Sequence, residues 1–305
     1  MSQPRHMTHR LTNLLAIALA LLAASARAEP ETVYFKSADG ATEIVGYLFK
    51  PAGTGPHPAI VLLHDRAGPY SANDNRDCTF VARGVTSACN AGTLSKRHMM
   101  WGEFWADHGV LALLPDSFGP RGKAHGFGRF THDDPDRADV NGLTVRPLDA
   151  EGALTYLRAR DDVVRERIFL QGWSNGGSTT LTVMIRQGAK EEASAMRDPP
   201  GHVVAGFRAA LVFYPGCGKE ALLDDKVLTT EPIALFMGTA DEEVPPPICQ
   251  HVVNRSIGTT FAVSLYIGAT HDFDDPGEKR QEVPANVTAK ADAMAKAARI
   301  VEGMK

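Results

Sequence analysis

The chain is poor in several things, and each shortage excludes something. Its 305 residues hold only four cysteines, 7% aromatics and no surplus of basic charge, the formal net charge being -4. Four cysteines are too few for a disulfide-framework miniprotein. The acidic balance argues against a nucleic-acid binder, which carries a basic surplus, and against attraction to an anionic membrane surface. No C-x-x-C or H-x-x-x-H spacing occurs, so no metal site is expected, and no motif calls for a cofactor. Past the N-terminus there is no long apolar run, so no inserted membrane segment is expected. What remains, 44% hydrophobic and 22% charged residues, is ordinary globular composition.

The N-terminus has the three parts of an export signal. Arg5 and Arg10 precede a Leu/Ala run over residues 11–24, and Ala26-Arg27-Ala28 supplies an A-x-A cleavage site before Glu29. The run is shorter than the roughly 20 residues of a membrane span. Cleavage after Ala28 and a periplasmic or secreted location are expected, with residues 29–305 forming a single domain. Export would place Cys78, Cys89, Cys217 and Cys249 in an oxidising compartment. Pairing of sequence neighbours gives Cys78–Cys89 and Cys217–Cys249, one of three connectivities.

Apolar β-rich runs alternate with helical patterns along the rest. Candidate strands are 43–49, 59–63, 110–114, 168–170, 209–213, 233–237 and 261–267; candidate helices are 101–108, 146–160, 175–186, 248–256 and 285–302. Several strand runs are continuously apolar, as in strands buried on both faces. The alternation predicts an α/β fold, a mostly parallel sheet with helices on both faces. Asp39-Gly40 separates a further strand near Thr32–Lys36 from the strand at 43–49, which predicts an antiparallel hairpin at the sheet edge. Three stretches break the pattern, near 68–100, 119–141 and 190–201, and read as loop insertions.

The sharpest motif is Gly172-Trp173-Ser174-Asn175-Gly176, placed where a strand gives way to a helix. In that setting G-x-S-x-G is a nucleophile elbow, a tight turn that lifts the serine hydroxyl above the sheet. A serine needs a base, and the base needs an orienting acid. The run 233–237 leads into Asp241, and the run 261–267 leads into His271, which gives the order Ser, acid, His. Glu242, Glu243 and Asp272 are rival acids. Asp241 is preferred because it comes first after its strand. For the oxyanion, the backbone N–H of Asn175 would pair with that of Arg66, although a register shift could bring in His64 or Asp65. His64 and Asp65 are given no proton-transfer role. A bridge between Cys217 and Cys249 would brace the loop bearing Asp241.

On these residues the chain resembles the dienelactone hydrolase family of α/β-hydrolases. The resemblance is carried by Leu62-Leu63-His64-Asp65-Arg66-Ala67-Gly68, residues 114–122, residues 172–177, residues 238–244 and His271-Asp272-Phe273. It implies the α/β-hydrolase fold and opening of a small-molecule ester or lactone through a covalent acyl-enzyme. One departure matters: dienelactone hydrolase itself uses a cysteine nucleophile, and Ser174 stands here instead. That favours a general carboxylic-ester hydrolase over a dienelactone hydrolase proper.

Other features read more weakly. Trp173 could line an acyl pocket or simply pack; Arg121 could meet an anionic substrate or pair with Asp116. His125, His132, Asp133 and Asp134 read as a solvated loop, and Lys290, Lys296 and Arg299 as a solvated helix face. Two other functions compete. One is a peptidase or amidase of the same fold, which usually carries a propeller domain for which this chain has no room. The other is a non-catalytic binding protein on a hydrolase scaffold.

Overall fold

The computed structural model describes residues 29–304, apart from 74, 130, 132, 196–205, 222–230 and 257–260. The expected export signal at 1–28, His132 and part of the third insertion therefore lie outside the described residues. Among the described residues eight strands form one sheet: β1 (Glu31–Lys36), β2 (Glu43–Phe49), β3 (His57–Leu63), β4 (Leu111–Asp116), β5 (Val163–Trp173), β6 (Ala210–Phe213), β7 (Ile233–Gly238) and β8 (Phe261–Tyr266). Their order is β1-β2-β4-β3-β5-β6-β7-β8. The β1–β2 hairpin is antiparallel and β2 runs antiparallel to β4, while every other pairing is parallel.

Among the described residues six helices follow in chain order: α1 (Lys96–Asp107), α2 (Arg146–Arg158), α3 (Asn175–Ala195), α4 (Pro246–Arg255), α5 (Glu278–Gln281) and α6 (Pro284–Gly303). The twofold repeat of the strands sorts the core into two layers. Ile60, Leu62, Ala112, Leu114 and Phe213 pack beneath Trp101 and Trp105 of α1 and the alanine stripe Ala289, Ala293 and Ala297 of α6. Ala59, Val61, Leu63, Leu113 and Val212 pack against Ala150, Ala153 and Leu157 of α2, Leu181 and Met184 of α3, and Cys249 of α4. Both disulfides join sequence neighbours, Cys78–Cys89 and Cys217–Cys249. The first two insertions hold each other, Val81 N–H donating to Gly119 O and Ala124 N–H to Thr79 O, each at 3.1 Å.

Three candidate elements differ most from the sequence reading, each for a physical reason. Strand β5 starts at Val163 rather than 168, because its first half pairs with β3 alone; β6 joins only at Leu170, so Arg165 and Glu166 stay exposed and break the apolar run. Helix α1 starts at Lys96, capped by the Ser95 side chain. Its first turn carries buried Arg97 and His98, polar residues that hide the helical period. Helix α3 runs on to Ala195, so residues 190–195 are helix rather than loop. There Gln187 pins the backbone of Phe207 and Lys190 pairs with Glu151.

Candidate active site

The turn from β5 into α3 places Ser174 at φ +49°, in the left-handed region, with its N–H donating to Phe213 O. The flanking glycines answer to space. A Cβ on Gly172 would lie 2.4 Å from Gly176 O, and one on Gly176 would lie 2.1 Å from Leu63 O. Both are sub-contact distances to backbone, so the strand–turn–helix closes this tightly only with glycine at each position.

Asp241 follows β7 and His271 follows β8, which brings both to the sheet edge where Ser174 stands. Asp241 Oδ1 accepts the N–H groups of Glu243 (2.8 Å) and Val244 (2.7 Å), which fixes its loop. Asp241 Oδ2 takes the Nδ1–H of His271 at 2.8 Å. That leaves Nε2 as the acceptor, 3.1 Å from Ser174 Oγ. Burial disfavours the imidazolium of His271, but the Asp241 hydrogen bond and the charges of Asp272, Asp241 and Glu243 outweigh it and raise the pKa above the ordinary histidine value.

None of the rival acids meets His271 Nδ1, although Glu243 comes within 3.8 Å of Nε2. Glu242 accepts the backbone N–H of His271 and pairs with Arg280. Glu243 pairs with Arg66 and Arg129. Asp272, at φ +57°, pairs with Arg97 at 2.7 Å; burial opposes its ionisation, yet that guanidinium leads in holding its carboxyl down at about 2. It is a member of a largely buried ion pair. Glu243, His271 and Asp272 offer ligand atoms within 4.8 Å of one another. Since His271 faces Ser174 and both acids are taken by arginines, the set fits a metal poorly.

Among the described residues the backbone amides of Arg66 and Asn175 have no acceptor. The loop bearing Arg66 is held from several sides. Asp65 Oδ1 accepts Ala67 N–H (2.7 Å) and Asp65 Oδ2 accepts from Arg97 (2.6 Å). His64 donates from Nδ1 to Asp65 O and accepts Ser117 N–H on Nε2. Burial pushes its pKa well down, so it is a neutral brace. Two cavities meet at Ser174. One, of about 190 Å³, is lined by Tyr70, Ser95, His98 and His271 among others. The second, of about 170 Å³, is lined by Asn175, Cys217, Val244 and Ile248 among others. A larger cavity of about 630 Å³ shares no lining residue with either.

Two secondary readings resolve. Trp173 is fully buried, and its Nε1–H donates to Asp274, so it packs and does not line a pocket. Arg121 does not pair with Asp116. It makes a two-pronged bond to Asp149 at 2.8 Å, while Asp116 takes Tyr70 O–H and the amides of Phe118 and Gly119. Sequence reasoning missed Arg97, which bridges Asp65 of the β3 loop and Asp272 of the β8 loop. It also missed Asp274, which receives Trp101, Trp173 and Tyr214. A signal existed for Arg97: it shares the i, i+4, i+8 face of Trp101 and Trp105, and a charge in register with a buried tryptophan stripe needs partners.

No family model matches this chain. Solved structures do. A dienelactone hydrolase-like promiscuous phosphotriesterase from metagenomic libraries aligns at TM-score 0.62 and 18% identity, over 90% of this chain and 97% of its own. A propionate-bound esterase from Thermogutta terrifontis aligns at TM-score 0.56 and 20% identity, over 90% and 94%. Puromycin hydrolase aligns at TM-score 0.54 and 18% identity, over 90% of this chain but 39% of its own. The strand order, the serine turn and these likenesses agree: the chain has the α/β-hydrolase fold, and dienelactone hydrolase-like structures are among those it is similar to.

Proposed function

We propose that this protein is an exported serine hydrolase that cleaves carboxylic esters or lactones through an acyl-enzyme. The observation that carries the reading is the unbroken hydrogen-bonded line from Asp241 through His271 to Ser174. Ser174 Oγ attacks the carbonyl carbon while His271 Nε2 takes its proton, and Asp241 keeps the imidazole in the right tautomer and orientation. The Arg66 and Asn175 amides receive the oxyanion. Collapse expels the alcohol, protonated by His271, and leaves the acyl group on Ser174. Water, deprotonated by the same nitrogen, then frees the acid.

Cavities of about 190 and 170 Å³ are small beside the roughly 300–1,000 Å³ of a drug-sized site. They favour a short acyl chain and a small alcohol, as does the likeness to a propionate-bound esterase. Export is supported by the N-terminal pattern and by the two disulfides. Among the described residues no helix is long and apolar enough to cross a membrane.

The test is fluorophosphonate labelling followed by peptide mapping, with turnover of a p-nitrophenyl ester series. Labelling at Ser174 and a preference for short acyl chains are expected. An unlabelled, inactive protein would favour a binding function instead. N-terminal sequencing of the exported protein should begin at Glu29, and a retained Met1 would remove the export reading.

A further inference from the structure

Arg146, the first residue of α2, is fully buried. One guanidinium nitrogen, Nη2, donates to His64 O at 2.6 Å. The other, Nη1, donates to Asn175 Oδ1. These acceptors belong to the two segments that carry the candidate oxyanion donors: the loop after β3 with Arg66, and the start of α3 with Asn175. The segments touch, since Gly176 brings α3 against the carbonyls of Leu63 and His64 so closely that a Cβ would lie 2.1 and 2.5 Å from them. The Arg146 guanidinium bridges that junction, lines neither cavity at Ser174, and also lies 5.1 Å from the Phe118 ring centroid.

The second feature is its charge. Among the described residues no carboxylate oxygen lies within 4.0 Å of the Arg146 nitrogens. Asp149, one turn along, is taken by Arg121, and Asp65 by Arg97. Burial accordingly draws the Arg146 pKa down to about 10, so the group remains cationic at neutral pH. A buried cation without a directly paired anion is costly, because desolvation is not repaid by a close countercharge. Burying one behind two free amides raises the positive potential where a tetrahedral intermediate would place its negative oxygen. Fixed charge of this kind stabilises the transition state without reorganisation.

We infer that Arg146 is a positioning residue for the oxyanion hole, tying its two halves together and biasing the site toward negative charge. The inference rests on the hydrolase reading above. It goes beyond it by assigning a function to a residue that touches neither substrate nor reacting atoms.

The test compares wild type with Arg146→Lys, Arg146→Gln and Asn175→Ala. The asparagine variant keeps the α3 amide and the buried charge but loses the tether. Each is measured for kcat and KM on a p-nitrophenyl ester, for inhibition by a trifluoromethyl ketone whose serine adduct carries an oxyanion, and for thermal midpoint. Arg146→Gln should lower kcat about 10- to 100-fold, below the 10²–10³ of a deleted donor, with KM within about threefold. Ketone affinity should fall in parallel with kcat/KM, Arg146→Lys should recover part of the loss, and Asn175→Ala should lose less than Arg146→Gln. The acid limb of the pH profile should stay in place, since it belongs to His271. A folded Arg146→Gln with wild-type kcat and ketone affinity would overturn the inference. Should the arginine variants fail to fold, an Asn175→Ala variant with unchanged kcat and ketone affinity would do the same. If wild type itself neither turns over esters nor labels at Ser174, the hydrolase reading fails and the inference falls with it; labelled wild type beside unaffected variants removes the inference alone.

Discussion

Asp272 lies 2.7 Å from Arg97 and is bonded in sequence to His271, so a buried guanidinium holds one of the charges that set the imidazole. Asp272→Asn removes a negative charge that favours the imidazolium. The acid limb of kcat/KM should therefore move to lower pH. Asparagine tolerates φ +57°, so the backbone should hold, and Arg97 keeps Asp65 and Asp275. A pH–rate profile of the folded variant checks this; a limb displaced upward would contradict it. Glu242→Gln, at a half-exposed side chain paired with Arg280, should change turnover less than about fivefold, as surface ion pairs contribute roughly 0–1 kcal/mol.

In the wild type, His271 must be neutral to act as base, so activity should rise as pH climbs through its pKa. Because the neighbouring acids raise that pKa against burial, the limb should lie above the roughly 6.5 of an unperturbed histidine. The same shift makes a sign prediction for stability. A raised histidine pKa contributes stability that is fully present below the unfolded value and lost as pH rises through the folded one. Titration of the imidazole by NMR separates the folded pKa from kinetic effects.

Ser174→Ala should abolish labelling and cut turnover by several orders of magnitude, as loss of a triad nucleophile does. Asp241→Asn should cost on the order of 10⁴ in kcat by presenting the wrong tautomer. Ester turnover in folded Ser174→Ala near the wild-type level would remove the acyl-enzyme mechanism.

Gly176→Ala should be severe, because its Cβ would meet Leu63 O at 2.1 Å and His64 O at 2.5 Å, both backbone atoms. A loss at or above the roughly 1–3 kcal/mol of ordinary overpacking is expected, together with loss of activity. Urea unfolding and ester turnover measure the two separately.

The Cys217–Cys249 bridge spans 32 residues and joins the loop after β6 to the first turn of α4, close to the Asp241 loop. Paired replacement by serine should lower unfolding free energy by roughly 2–4 kcal/mol. Cys78–Cys89 closes only 11 residues, so its loss should cost less on chain entropy alone. Equilibrium unfolding of the two double variants tests the ranking.

The sequence by itself determined whatever is local and periodic. Continuous apolar runs marked β3, β4, β6 and β7, because strands covered on both faces cannot afford polar positions. G-x-S-x-G between strand and helix marked Ser174, because only glycine fits where α3 meets β5 and β3. Asp241 and His271 were legible because parallel strands all end on one edge, so loops after successive strands meet there. Tertiary structure alone decided which acid reaches His271 Nδ1, since Asp241, Glu242 and Glu243 are consecutive and Asp272 adjoins His271 itself, yet their carboxylates meet different partners. It also decided the partners of Arg97, Arg121 and Arg146, whose long side chains cross between elements distant in sequence. A charge shows in the sequence, but burial and the choice of carboxylate or carbonyl that answers it arise only when the chain closes around it.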